Sequence, residues 1–155
     1  MEQKMNYAEA LEYLLSHGDR VGKRSIATNM VSLSKDLLAF KKCRSTDSGA
    51  LVIANLIIPK GSLVHIGLQT YSTPYKCRAS HALVHSIFYQ YGKNEELIQA
   101  RANRRSSVGA GFFDFVYKKG SIVTPHEPFC MRHKICASGI HFFVDLPTTL
   151  KYDFS

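Results

Sequence analysis

Four thiol and imidazole side chains lie close together near the end of the sequence: Cys130, His133, Cys136 and His141. Zinc binds such cysteine and histidine sets in tetrahedral geometry. Structural zinc sites usually take paired ligands from two separate elements, whereas here one short segment would have to surround the ion. We therefore expect no cofactor, and zinc is the alternative that these residues leave open.

Cys136 and His141 also have the residue types of a nucleophile and its general base. A catalytic thiol needs a lowered pKa, which a helix N-terminus or a neighbouring cation often provides. Cys136 precedes a predicted strand, which offers no helix dipole. We therefore expect Cys136 to pack and His141 to form hydrogen bonds at the margin of a sheet, and thiol chemistry is the alternative.

Arg78 is the third residue whose chemistry could serve a site. Its planar guanidinium suits a bidentate contact with a phosphate or carboxylate of a ligand, or with a carbonyl or Asp114 of the protein itself. Residues 139–143, Gly-Ile-His-Phe-Phe, are also similar to a short Gly-Ile-Tyr-Phe segment of ADP-ribosyl transferases, although no matching glutamate follows. A structural clamp is the favoured role, and a ligand site at Arg78, Cys136 and His141 is the alternative.

Basic residues suggest a contact with an anionic partner. The chain has a formal net charge of +8, and the densest cluster contains Arg101, Arg104, Arg105, Lys118 and Lys119. Glycines follow the arginines, so this stretch is predicted to be a loop. A basic loop favours nucleic acid, an acidic protein face or another polyanion.

One helix is well defined by its start and stop signals. Asn6 and Glu9 form a capping-box pattern, leucines recur at helical spacing, and Gly18 is a natural end. A second short helix is predicted within 19–36, which makes 1–36 the helical part of a single domain spanning 1–155.

Residues 37–155 have the composition of β-strands. Strands are predicted at 37–42, 51–58, 63–68, 79–89, 112–117, 121–123 and 140–145. The turn at 59–61 predicts a hairpin between the second and third of these strands, and the turn at 118–120 predicts another. The expected fold class is α+β, mainly antiparallel sheet with an N-terminal amphipathic helix.

Composition excludes several classes of protein. Hydrophobic residues make up 45% and charged residues 21% of the chain, which are ordinary globular values. No apolar run reaches the ~20 residues of a membrane helix, so we expect no membrane insertion. The four cysteines are expected to be free thiols, since no secretory signal accompanies them.

Three motifs carry a family resemblance. They are Tyr-Lys-Cys-Arg-Ala-Ser-His-Ala-Leu-Val at 75–84, Phe-Val-Tyr-Lys-Lys-Gly-Ser-Ile-Val-Thr-Pro at 115–125 and Cys-Ala-Ser-Gly-Ile-His-Phe-Phe at 136–143. In this order they resemble a domain of unknown function from large DNA viruses and phages, sometimes found beside pentapeptide repeats.

The resemblance implies a viral protein in the virion or the host cytoplasm. Its expected partners are other viral proteins in an assembly or a host protein. The predicted function is a non-enzymatic interaction or structural role, such as a minor capsid protein or host-contact module. The alternative is a small enzyme or ligand-binding domain with ADP-ribosyl or thiol chemistry.

Overall fold

A computed structural model describes residues 4–21, 29–68, 74–92, 94–102, 116–125, 129 and 139–152. In chain order the elements are α1 (Tyr7–Leu15), β1 (Gly18–Arg20), β2 (Met30–Leu33), β3 (Leu37–Ser45), β4 (Leu51–Ile58), β5 (Leu63–Gly67), β6 (Lys76–Ala79), β7 (Ala82–Tyr89), β8 (Gln99–Arg101), β9 (Val116–Lys118), β10 (Ile122–Val123), β11 (Ile140–Phe142) and α2 (Leu146–Lys151).

The N-terminal helix is confirmed, together with its cap. The Asn6 side chain accepts from the Glu9 backbone N–H at 2.9 Å, and the Asn6 backbone N–H donates to Glu9 Oε1 at 3.1 Å. This capping box satisfies two donors that the first turn would otherwise leave open. Ala10 and Leu14 are fully buried on the face that joins the core.

The strands form two antiparallel sheets. The first sheet has the order β1-β2-β5-β6-β11, and the second has the order β10-β7-β4-β3-β8-β9. The predicted antiparallel character is confirmed, but the fold is mainly β because the two helices have only nine and six residues. The segment 1–36, expected to be helical, also contains β1 and β2. Residues 30–33 form a strand because Val31 and Leu33 alternate into the core.

The second sheet curls until its two ends meet. The turn Lys119–Ser121 joins β9 to β10, which are the outermost strands of that sheet. Within this turn the Lys119 N–H donates to Ile98 O, just before β8, and the Gly120 N–H donates to Val84 O of β7. We call this second sheet the barrel, since one turn is hydrogen-bonded to both of its sides.

The two predicted hairpins are wrong in their pairing, although the strands exist. β4 pairs with β3 and β7 in the barrel, whereas β5 pairs with β2 and β6 in the first sheet. Hydrogen bonds at the turn explain the change: the Gly61 N–H donates to Leu33 O, and the Leu33 N–H donates to Ser62 O. The turn therefore directs the chain onto the end of β2. Likewise, β9 pairs with β8 and β10 pairs with β7.

A β-bulge sets the outward face of β7. The register with β4 shifts between Asn55 and Leu56, whose partners are Ser86 and Val84. His85 is the extra residue and is exposed, and Val84 and Ile87 both point into the core. A bulge of this kind inverts the alternation beyond it. The single strand predicted at 79–89 is therefore wrong in two ways: Ala79 ends β6 in the first sheet while β7 begins at Ala82 in the second, and the alternation along β7 fails after Val84.

Candidate functional site

Arg78 lies between two histidines in a row that crosses three strands of the first sheet. It stands directly opposite His65 of β5 and His141 of β11. Side chains at directly opposite positions lie on one face, with Cβ atoms about 5 Å apart. Arg78 and His65 have no exposed surface and His141 is 7% exposed. We call these three residues the arginine row.

The arginine row lies on the face of the first sheet that points away from the hydrophobic core. The residues that alternate with it, such as Cys77, Ala79 and Ile140, belong to the core cluster. On the opposite face, the Arg78 guanidinium carbon lies 5.0 Å from the centroid of the Phe129 ring, within the range of a cation–π contact. The first sheet thus has an apolar inner face and an enclosed polar outer face.

Gly139 allows the chain to pass close to this row. Its φ of +155° is one that side-chain-bearing residues rarely adopt, and a Cβ there would lie 3.0 Å from the Arg78 Cβ. The same Cβ would lie 3.2 Å from Cε1 of Phe129. The glycine of the third motif therefore suits the close pairing of β11 with β6, which brings position 139 against the Cβ of Arg78.

A second polar network, which sequence reasoning missed, connects Tyr75 with Asp145. The buried Tyr75 hydroxyl donates to Asp145 Oδ1 at 2.5 Å and accepts from the backbone N–H groups of Val144 at 2.8 Å and Asp145 at 3.2 Å. Burial is the main factor that raises the pKa of the Tyr75 hydroxyl, and the charges of Cys77 and Asp145 add to it. Tyr75 therefore stays protonated and serves as a fixed donor.

The same carboxylate begins the second helix. Asp145 Oδ2 accepts from the Thr148 backbone N–H at 2.9 Å, as an N-cap side chain does. At the other end of α2, the Lys42 ammonium donates to the carbonyls of Leu150 at 2.6 Å and Tyr152 at 2.9 Å. These contacts hold α2 against β3. Asp145 lies two residues before Pro147, and an aspartate with a proline in the first turn is a helix-start signal. The cap could have been predicted from it.

An exposed apolar surface lies on the outside of the barrel. Four aliphatic side chains stand in register across neighbouring strands: Leu38 of β3, Ile57 of β4, Leu83 of β7 and Ile122 of β10. Leu38 is 49% exposed and Ile122 is 64% exposed, while the two between them are half-buried. We call this set the aliphatic row. The sequence predicted the strands that carry these residues, except for part of their bounds, but not that the four side chains would meet on one face.

The comparison that identifies the chain is its match to a family model described as "Family of unknown function (DUF5758)", over residues 27–148. The chain belongs to this family. No curated protein and no solved structure matches it. The matched range contains both the arginine row and the aliphatic row.

The DUF5758 chain brings together two of the three residues predicted to share a site. Arg78 and His141 are direct cross-strand neighbours, whereas Cys136 lies outside the described residues. His65 is the neighbour that sequence reasoning missed, because only the pairing of β5 with β6 places it beside Arg78. Since the arginine row is enclosed, its arrangement suits a structural clamp. A reaction at this row stays a prediction.

The predicted metal ligands and free thiols have different outcomes. Three of the predicted ligands lie outside the described residues: Cys130, His133 and Cys136. Among the residues that the structure describes, no group of three or more His, Cys, Asp or Glu could hold a metal ion. Cys43 and Cys77 are buried free thiols. Burial raises the pKa of Cys43 to about 12, and burial followed by the charge of Asp145 raises that of Cys77.

The basic cluster of this DUF5758 domain is only partly described. Arg101 lies in β8, opposite Arg44 of β3, while Arg104 and Arg105 lie outside the described residues. Lys118 ends β9, and Lys119 forms a 2.7 Å ion pair with Glu96. A polyanion contact stays a prediction. Among the described helices, none has the length and hydropathy needed to cross a membrane.

Proposed function

We propose that this DUF5758 domain is a non-enzymatic protein-interaction module, and that the aliphatic row is its contact surface. The observation that carries the proposal is the row itself, which places Leu38 and Ile122 at 49% and 64% exposure in one in-register line. Single exposed apolar residues are ordinary on protein surfaces, but contiguous ones mark interaction sites. Here four strands contribute one side chain each to the same line.

Covering the aliphatic row with a partner would be energetically favourable. Fully burying an aliphatic side chain is worth ~1.5–3 kcal/mol in transfer terms, and a half-buried one retains part of that gain. Four such side chains, covered together, would contribute on the order of 4 kcal/mol. That is enough to form the apolar centre of a modest interface, with a polar rim supplying specificity.

The narrower proposal is a viral role. The order of the three motifs supports a minor virion component or host-contact module, with another viral protein or a host protein as the partner. The virion or the host cytoplasm is then the place of action. This part of the proposal depends on the motif resemblance alone, whereas the interaction surface depends on the fold.

Two matched variants test the proposed surface. Leu38 and Leu68 are the same residue type with the same 49% exposure, but Leu68 follows β5 at the end of the first sheet. We expect Leu38→Asp to remove the bound partner when the domain is isolated from its native source and weighed by native mass spectrometry. Leu68→Asp should retain the partner. Equal partner occupancy in both variants would contradict the proposal, provided that circular dichroism shows both to be folded.

A second candidate function is a ligand-binding or catalytic domain at the arginine row. The observation that favours it is the direct pairing of Arg78 with His141. The ligand would be a small phosphate or carboxylate, which a guanidinium binds in bidentate geometry. Calorimetric titration with inorganic phosphate, comparing the wild type with Arg78→Lys, separates the two functions. Binding that is lost in the variant favours the ligand site, and no heat with either protein removes this candidate.

A further inference from the structure

We infer that the partner covering the aliphatic row is an acidic amphipathic helix. This inference rests on the proposed function and adds the chemical class of the partner. Two features of the surface carry it: the charges that surround the row and the spacing of the side chains within it.

Lysines flank the row at both ends. Lys35 precedes β3 and Lys60 follows β4, so both lie near the Leu38 end. At the Ile122 end, Lys118 ends β9 and Lys119 begins the turn that leads into β10. All four residues are exposed. Charges at the rim of an interface select the partner and steer its approach.

The nearby acids do not cancel this charge. Asp36 is adjacent to Lys35 and accepts from the Lys60 backbone N–H at 2.8 Å, and Glu96 forms the ion pair with Lys119. Glu95 is exposed beside Glu96, so four lysines against three acids leave a local charge of +1.

The local charge also argues against self-association as the use of this face. A second copy placed on the same surface would bring its own four lysines against these four. Like charges across an interface are unfavourable and suppress a wrong partner. An acidic partner meets the same lysines with attraction, so charge complementarity favours it over a homodimer.

The spacing of the row suits a helix lying across the strands. Neighbouring strands are about 4.8 Å apart, so the three intervals from Leu38 to Ile122 span about 14 Å. One helical turn rises 5.4 Å, and roughly ten residues of helix cover the same length. Apolar side chains one turn apart would therefore meet successive members of the row, while the flanks of the helix present carboxylates to the lysines.

Three fluorescent peptides of about fourteen residues test the inference by anisotropy, since that length covers the row with a spare turn. The first has leucines at helical spacing with glutamates elsewhere. The second replaces each glutamate by lysine, and the third replaces each leucine by serine. We expect the Leu/Glu peptide to bind at least ~10-fold more tightly than either of the others, and to weaken several-fold between about 0.05 and 0.5 M salt.

The variants locate the binding. Leu38→Asp should weaken the Leu/Glu peptide at least ~10-fold, because it removes an apolar contact and adds a negative charge. Leu68→Asp, with matched exposure, should change its affinity less than ~2-fold.

Three results would overturn the inference. If the Leu/Lys peptide binds as tightly as the Leu/Glu peptide, the partner is not acidic, although the row remains a docking surface. If none of the three peptides binds, the partner is not an amphipathic helix. The comparison of Leu38→Asp with Leu68→Asp in the native source then still tests the surface itself. If sedimentation shows a dimer that Leu38→Asp abolishes, the occupant is a second copy.

Discussion

Tyr75→Phe removes one oxygen atom from the buried polar network that connects Tyr75 with Asp145. The Tyr75 hydroxyl forms three hydrogen bonds, one donated to the Asp145 carboxylate and two accepted from the Val144 and Asp145 N–H groups. The phenyl ring of the variant keeps the edge-to-face contact with Phe143, whose centroid lies 5.5 Å away. The substitution therefore tests the hydroxyl with little change in apolar packing.

The expected loss of stability is about 3 kcal/mol. A hydrogen bond to a charged group is worth roughly 1.5–3 kcal/mol, and a buried N–H left without an acceptor costs about 1–3 kcal/mol. The upper ends of these ranges add to a larger loss of stability than we expect. Relaxation of the surroundings and the remaining bond between Asp145 and Thr148 will recover part of it. In a domain of 155 residues, a loss of about 3 kcal/mol lowers the melting temperature by roughly 6–12 °C.

Urea unfolding followed by circular dichroism measures this loss, and Tyr91→Phe is the matched control. Tyr91 is 72% exposed, and its hydroxyl accepts only an exposed Gln90 side-chain bond among the described contacts. The control should change the free energy of unfolding by less than about 0.5 kcal/mol. If Tyr75→Phe costs no more than Tyr91→Phe, the network does not stabilise the fold and the reasoning is refuted.

Three further predictions concern other parts of the fold. Gly139→Ala should destabilise by about 2–3 kcal/mol, roughly 1 kcal/mol more than Gly49→Ala, because both have positive φ but only Gly139 faces a close neighbour; equal losses in urea melts would contradict the close approach. The pKa of Cys43 is raised in the folded state from 9.0 to about 12, so its contribution to stability is complete below pH 9.0 and is lost as pH rises toward 12. The wild type should therefore lose about 1.4 kcal/mol per pH unit more than Cys43→Ala in urea melts above pH 9.0. Lys42→Met should cost about 2 kcal/mol and speed amide exchange in α2, because two carbonyls at the end of that helix lose a charged donor; unchanged exchange would show that Lys42 does not hold the helix.

Local signals predicted some of the elements, whereas the strands β1, β2, β6 and β8 were missed. The capping box of Asn6 and Glu9 placed α1, and the β-branched run from Leu51 to Ile58 gave the bounds of β4. Both depend on residues near each other in the chain, so the sequence pattern contains the information. The strand predicted at 140–145 also exists in shorter form, since β11 spans Ile140–Phe142.

Pairing was much less predictable, because it is decided by contacts between distant segments. A turn with Gly61 shows that the chain reverses, but the hydrogen bonds to Leu33 that direct β5 into the first sheet have no local signature. His65 joins Arg78 for the same reason, since β5 and β6 must pair before the two side chains become neighbours. The bulge at His85 likewise arises from the β4–β7 register.

If a partner covers the outside of the barrel at Leu38, photo-crosslinking at that position will trap it. A diazirine amino acid is placed at position 38 in one protein and at position 68 in another, and both are irradiated in the native source. We expect a discrete protein adduct at position 38 and none at position 68, since the two leucines differ in location but not in exposure. Adducts of equal yield at both positions, or none at position 38, would contradict the proposal.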